Sequence, residues 1–456
     1  MSKRFISTFV CVLLLFTAGH TQKAGTHKQK TTADWLDVRL KNGLRVIVQE
    51  DHRAPVYGLA VVYDVGSRNE VPGRTGFAHL FEHMMYEGSA NVGKGEQMIL
   101  VQENGGVMNG NTTQDRTSYY EELPANQLDL GLFLESDRMR ALNVTQQNLD
   151  NQRNAVQEER RLRIDNQPYG VLFELLPATV FDNFAYKHSL IGSMADLNAA
   201  TLQDVQQFFH TFYAPNNATI ALVGDFDQKT ALAKIRKYFE DIPRQPTPKA
   251  NDYSEPPQTA ERRATVEDPF ASQPMVTIAF KTVAANTADY YALDTLMSVL
   301  GDGKASRLYQ ALVKEKQLAT SVSAGMQSFR GQSLAIVRAR PRPGVDLAQI
   351  EKAIYAEIDR AKKETPADWE MEQAQNQSKL LTANYQGVTL GRAIDMAQDA
   401  VFFNEPGLLF ITAQKYGAVK KNDVTRVAAE YLTENKRSVI TVLPKAKPAS
   451  SPTDSK

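Results

Sequence analysis

The first patterned segment of the chain is VRLKNGLRVIVQED, where two alternating apolar–polar runs flank Asn42-Gly43. An Asn-Gly pair in that setting predicts a tight β-hairpin. Leu59–Tyr63 is a short apolar run that reads as a further strand, and Thr75–Glu87 then changes to helical spacing. The polar stretch TQQNLDNQRNAVQEERRLR, residues 145–163, reads as a helix with Thr145 as its N-cap. Structure is expected to begin near Trp35, after a polar leader over Gln22–Thr32.

Two distant stretches share one pattern. TLQDVQQFFHTFYAPNNATIALVGDF starts at Thr201, and VKKNDVTRVAAEYLTENKRSVITVLP starts at Val419. Each places an Asp-Val pair (Asp204-Val205, Asp423-Val424) at a helix start, then a polar turn and an apolar strand. A match at the end of each half is the signature of an internal duplication. The chain has 456 residues, too long for one ordinary core. Its Pro-rich stretch over 243–262 has the composition of a linker. The expected architecture is therefore α+β, with two homologous domains over 33–242 and 263–445. Each is expected to be a mostly antiparallel sheet with helices packed on one face, and residues 446–456 to form a disordered tail.

Charge removes some functions from consideration. Lys+Arg and Asp+Glu are both 52, so no global basic field exists to hold nucleic acid. Hydrophobic residues make up 42% and charged residues 23%, the composition of a soluble globular protein. The start differs from the rest: a basic Met1–Arg4, an apolar run from Phe5 to Phe16, then small residues. That layout predicts a signal peptide over 1–21, too short to span a bilayer as an anchor, and hence a periplasmic or secreted protein with no membrane span after signal removal. The single cysteine, Cys11, lies inside it, so the mature chain would have neither disulfides nor thiolate chemistry.

The candidate chemistry is HLFEH, His79 to His83. On a helix, His79 and His83 fall on one face a turn apart, with Glu82 on the same side. Two imidazoles can hold one zinc ion while the carboxylate faces the water that zinc acidifies to a pKa of about 7. Glu82 is then the general base. A catalytic zinc site takes three protein ligands, and the 145–163 helix offers the adjacent Glu158 and Glu159, only one of which can face the metal. His52, His188 and His210 stand alone, without ligand spacing.

HLFEH, followed with 75 residues intervening after His83 by the last Glu of VQEE, resembles the pitrilysin/insulinase family of inverted-motif zinc peptidases. The resemblance extends to GGVMNGNTTQDRTSYY (105–120), HSLIGS (188–193) and ASRLYQAL (305–312). It implies Zn2+ held by His79, His83 and Glu159, with Glu82 as base and Glu158 a structural neighbour. It also implies a substrate-binding edge strand at Asn109 and Gly110, the latter standing where family members commonly have Ala. The length resembles two-domain members, each chain forming half of a clamshell chamber. The implied function is zinc-dependent endopeptidase action on peptides or unfolded segments; the alternative is a non-catalytic chamber or assembly subunit of the same fold.

The pattern departs at two places. Gln152 stands where many active members carry a second Glu, and reads as an outer neighbour of the metal site. Val313 and Thr320 stand where active members supply an Arg and a Tyr across the chamber, and neither is a donor of that kind. The resemblance thus implies a heterodimer with a homologous subunit supplying the Arg/Tyr pair, or else a homodimer. A glycan on the Asn111-Thr-Thr sequon would block the proposed substrate strand, which favours a bacterial periplasm.

Overall fold

The central strands are apolar on consecutive residues rather than alternate ones, as a sheet covered on both faces requires. The computed structural model describes residues 34–445; the segments read as leader and tail, with Cys11, lie outside the described residues. Eleven strands occur among them: β1 Trp35–Arg39, β2 Arg45–Glu50, β3 Val56–Tyr63, β4 Val107–Thr112, β5 Thr117–Pro124, β6 Ala218–Gly224, β7 Arg262–Asp268, β8 Met275–Lys281, β9 Ala319–Gln327, β10 Leu334–Pro341 and β11 Arg437–Pro444. The first sheet runs β1-β2-β6-β3-β5-β4 and the second β7-β11-β8-β10-β9.

Apart from the extra edge strand β1, the two orders are the same pattern. β2–β6 and β7–β11 are the parallel pairs, and the other neighbours are antiparallel. The stretches that match in sequence fold alike. Helix Leu202–Phe212 leads into β6 and helix Lys421–Tyr431 into β11, each through a short 3-10 turn. Both begin with the aspartate reaching back to a backbone N–H: Thr201 N to Asp204 at 3.1 Å, Lys420 N to Asp423 at 2.9 Å. Residues 243–261 carry neither helix nor strand. Asn42-Gly43 makes the β1–β2 turn, with Gly43 at φ +93°.

Each half's own helices cover one face of its sheet. In the first half Val46, Val48, Leu59, Val61, Ile220 and Leu222 pack against Phe81, Leu132, Val205 and Ile235. In the second, Val276, Ile278 and Val337 pack against Leu296, Ile354 and Val427. The opposite faces are covered by exchange. Helix Thr389–Phe403 lays Ala393, Met396, Ala397 and Ala400 on Ile47, Ala60, Val62, Ala221 and Val223 of the first sheet. Small residues on both sides bring it close: a Cβ at Gly58 would stand 2.6 Å from the Leu390 Cα. Reciprocally, helix Leu172–Val180 sets Leu172, Leu176 and Val180 on Ala279, Leu334, Ile336, Ile440 and Val442 of the second sheet. From Trp35 onward the described residues form one compact unit. No helix among them is long and apolar enough to cross a membrane.

Candidate metal centre

The helix carrying HLFEH spans Phe77–Met84 and buries Phe77, Ala78, Leu80, Phe81 and Met84. Its other face therefore presents His79, Glu82 and His83. It is shorter than the predicted 75–87 because Thr75 and Gly76 are used in the approach, Gly76 at φ +84°. The helix start is held from beneath. Glu70, fully buried, accepts from Gly76 N and Ala78 N, both at 2.8 Å, satisfying N–H groups that a helix start leaves unpaired. His188 Nε2 lies 2.9 Å from the same carboxylate, and its Nδ1 2.7 Å from the Phe184 carbonyl. His188 thus anchors the helix entry and lies outside the metal centre. Gly76 and Gly192 pack backbone to backbone, where any Cβ would strike the other loop.

The second helix, Gln146–Arg160, starts as predicted, with Asn148 N donating to Thr145 Oγ1 at 3.2 Å. It then widens into a π-type turn over Arg161–Asp165. Glu158 points outward to Arg161 at 2.9 Å, while Glu159 turns inward, its side chain only 18% exposed. Glu159 Oε2 lies 3.5 Å from His79 Nε2 and 3.3 Å from His83 Nε2. Zinc with four ligands at about 2.0–2.1 Å sets donor atoms about 3.4 Å apart, so this spacing fits the ion. These three residues are the one group able to hold a metal among the described residues.

Burial and the neighbouring His83 push His79 down to about 4, keeping it in the neutral form that ligates. Burial opposes protonation of His83 too, but the Glu159 carboxylate outweighs it and raises the group. Glu159 is lowered, first by its hydrogen bond with His83. Glu82 is raised by burial, partly offset by the Thr112 hydroxyl, which donates to its Oε2 at 2.6 Å.

Thr112 ends β4, the edge strand of the first sheet. Asn109 is exposed on that edge, its Oδ1 accepting from Gly110 N at 2.8 Å. The place of a Cβ at Gly110 is filled by Tyr86, whose hydroxyl would stand 2.7 Å away. The glycine is thus matched to a tyrosine rather than leaving the strand loose. Gln152 Nε2 donates to the buried Glu87 at 2.5 Å, and its side chain also reaches His83. Glu87 is also paired with Lys94 at 2.7 Å. Val313 is packed against the second core, while Thr320 is exposed on edge strand β9 with its hydroxyl donating to the Arg340 carbonyl at 3.3 Å. His52 pairs with Asp225 at 2.6 Å, and His210 is exposed; neither joins the metal centre.

Thr112, Tyr86 and Glu70 were not singled out from the sequence. Thr112 alone had a local signal, as a hydroxyl three residues along the strand from Asn109.

Comparison with known proteins gives the family and the fold. The family profile described as Insulinase (Peptidase family M16) matches residues 45–194, and that described as Peptidase M16 inactive domain matches residues 199–378. The zinc protease PqqE of Helicobacter pylori is 30% identical over 439 residues, covering 95% of this chain and 97% of the relative. The chain belongs to the M16 (insulinase) peptidase family. Among solved structures, a protease from Helicobacter pylori superposes with a TM-score of 0.86 at 29% identity, covering 90% of this chain and 100% of that one. A peptidase M16 inactive domain from Pseudomonas fluorescens gives 0.80 at 18% identity, covering 91% and 98%. The M16 fold with two homologous halves is thus shared both with relatives named zinc proteases and with one named inactive.

Proposed function

We propose that the chain is a zinc-dependent endopeptidase that hydrolyses peptides or unfolded segments inside a chamber. The observation that supports this most is Glu159 Oε2 at 3.5 and 3.3 Å from the two imidazole nitrogens, all three donor atoms within 4.8 Å of one another, with Glu82 of the histidine helix held by Thr112. His79, His83 and Glu159 hold the ion, which when bound supplies Lewis acidity. Glu82 takes the proton of the attacking water and delivers it to the leaving amine. Its burial, which raises its proton affinity, suits that double role. Asn109 and Gly110, on the open edge of β4, receive the substrate as an added strand. Gln152, through Glu87 and His83, orients the ligand set.

We further read the chain as the zinc-bearing member of a pair. The two-domain chain gives half of the chamber, and Val313 and Thr320 leave the oxyanion side to a homologous partner. The amino-terminal apolar run supports export to the periplasm or beyond.

The test is peptide cleavage with metal analysis on wild type and Glu82→Gln, alone and with any co-encoded homologue. Glu82→Gln is expected to keep zinc while the rate falls by about 10²–10⁴. Wild type without zinc would overturn the mechanism. Full activity of the chain alone, unimproved by a homologue, would overturn the pairing.

A further inference from the structure

A cavity of about 400–500 Å³ lies between helix Leu172–Val180 and the facing side of β10 (470 Å³). Leu172, Leu176, Phe181 and Phe329 give it an apolar part, and Gln114, Gln327 and two arginines a polar one. The period of two along β10 puts Leu334, Ile336, Arg338 and Arg340 on one face, so the apolar floor ends in two guanidinium groups. Arg340 lies 4.6 Å from the centroid of the Tyr169 ring. Arg338 and Arg340 are both exposed at the rim. No acidic residue lines the cavity. A guanidinium with no carboxylate beside it, at the end of an apolar hollow, is free to take an anionic group through paired N–H donors.

Part of the cavity wall comes from segments that adjoin the candidate active site along the chain. Gln114 lines it from the turn between β4 and β5, two residues after the Thr112 that holds Glu82. Pro168 and Tyr169, also in its wall, follow the turn that ends the Glu159 helix.

We infer that this cavity is a peptide-anchoring site that takes a large apolar side chain together with an adjacent carboxylate, the latter bound by Arg338. The carboxylate can be the peptide's own C-terminus or an acidic side chain. This rests on the peptidase reading above, but its test is separable.

The full chain carrying Glu82→Gln, which leaves the probe intact, is titrated with a fluorescent peptide ending in phenylalanine. Its C-terminal amide and an amidated peptide with aspartate beside the phenylalanine are compared. Arg338→Gln is expected to weaken the carboxylate peptides about ten- to hundredfold and to leave the uncharged amide unaffected. Preference for the free C-terminus or for aspartate identifies the source of the anion, and either supports the site. Equal binding of all three peptides to wild type and Arg338→Gln overturns it. Cleavage of an internally quenched peptide by the zinc-loaded wild type is measured alongside. Cleavage with Arg338-independent binding removes the anchoring site alone; Arg338-dependent binding without cleavage removes the peptidase reading alone.

Discussion

The helix that follows β3 and the helix that follows β8 occupy the same place in the two halves, and they are used in opposite ways. Phe77–Met84 has eight residues and stops beside edge strand β4 with His79, Glu82 and His83 on its free face. Ala288–Gly301 has fourteen residues, buries Ala292, Leu293, Leu296, Met297 and Leu300, and comes down onto edge strand β9. There a Cβ on Gly301 would run into the backbone of Ala324. The first half keeps a polar space between helix and strand; the second closes the same space with apolar packing. One topology thus serves as a frame in both halves, and a handful of side chains decide which half carries a group that could hold a metal.

The largest expected effect tests the polar space. Glu159→Gln keeps the shape of the side chain but removes its charge from between two imidazoles. It is expected to abolish stoichiometric zinc, and with it peptide cleavage, while leaving the fold intact, because no apolar core residue changes. Metal analysis of the purified variant, with circular dichroism as the control, checks this. Full zinc occupancy in Glu159→Gln would mean that the metal centre lies elsewhere.

A smaller effect tests the closed space. In Gly301→Ala the new methyl meets backbone, which cannot swing aside as a side chain can. Destabilisation of about 1–3 kcal/mol is expected in urea, with zinc affinity unchanged. A variant as stable as wild type would show that the second half is looser than its packing implies.

The sequence announced those parts of this contrast that are local. Asn42-Gly43 gave its turn because two residues suffice to set it, and HLFEH gave its face because helical spacing is fixed. The residues alone left Glu158 and Glu159 open; the choice depends on Arg161, which draws Glu158 outward, and on how the second helix is turned. The matched aspartates Asp204 and Asp423 were visible as a repeat, since each caps its own helix start. The exchange of helices across the sheets was not visible. LFELLPATV says that a helix is buried but not against which sheet. Nor was the Glu70–His188 anchor, whose members are 118 residues apart and meet only in the folded chain.

The exchanged helices offer the finest contrast. Leu172–Val180 meets the second sheet through Leu172, Leu176 and Val180, whereas Thr389–Phe403 brings Asp395 and Asp399 with it to the first. Burial pushes Asp395 up to about 6, with Arg116 on the β4–β5 turn pulling the other way. Arg116 also donates to Gln398 on the same helix at 2.7 Å. Burial, with Asp395 and Glu405 nearby, raises Asp399 further still. The sign follows from proton binding. Between the ordinary value of 3.8 and about 6 the folded chain holds a proton on Asp395 that the unfolded chain has lost. Stability is therefore drained as pH rises through that window and stays lower above it. Asp395→Asn keeps a neutral side chain at every pH. Its advantage over wild type should be small at pH 4 and grow to the order of 2 kcal/mol by pH 7. Urea midpoints of both proteins across that range, in chelator so that metal binding does not contribute, measure it. If the two midpoints instead move in parallel, the helix over the first sheet carries no electrostatic burden from Asp395. The two covers would then differ in composition but not in how they respond to pH.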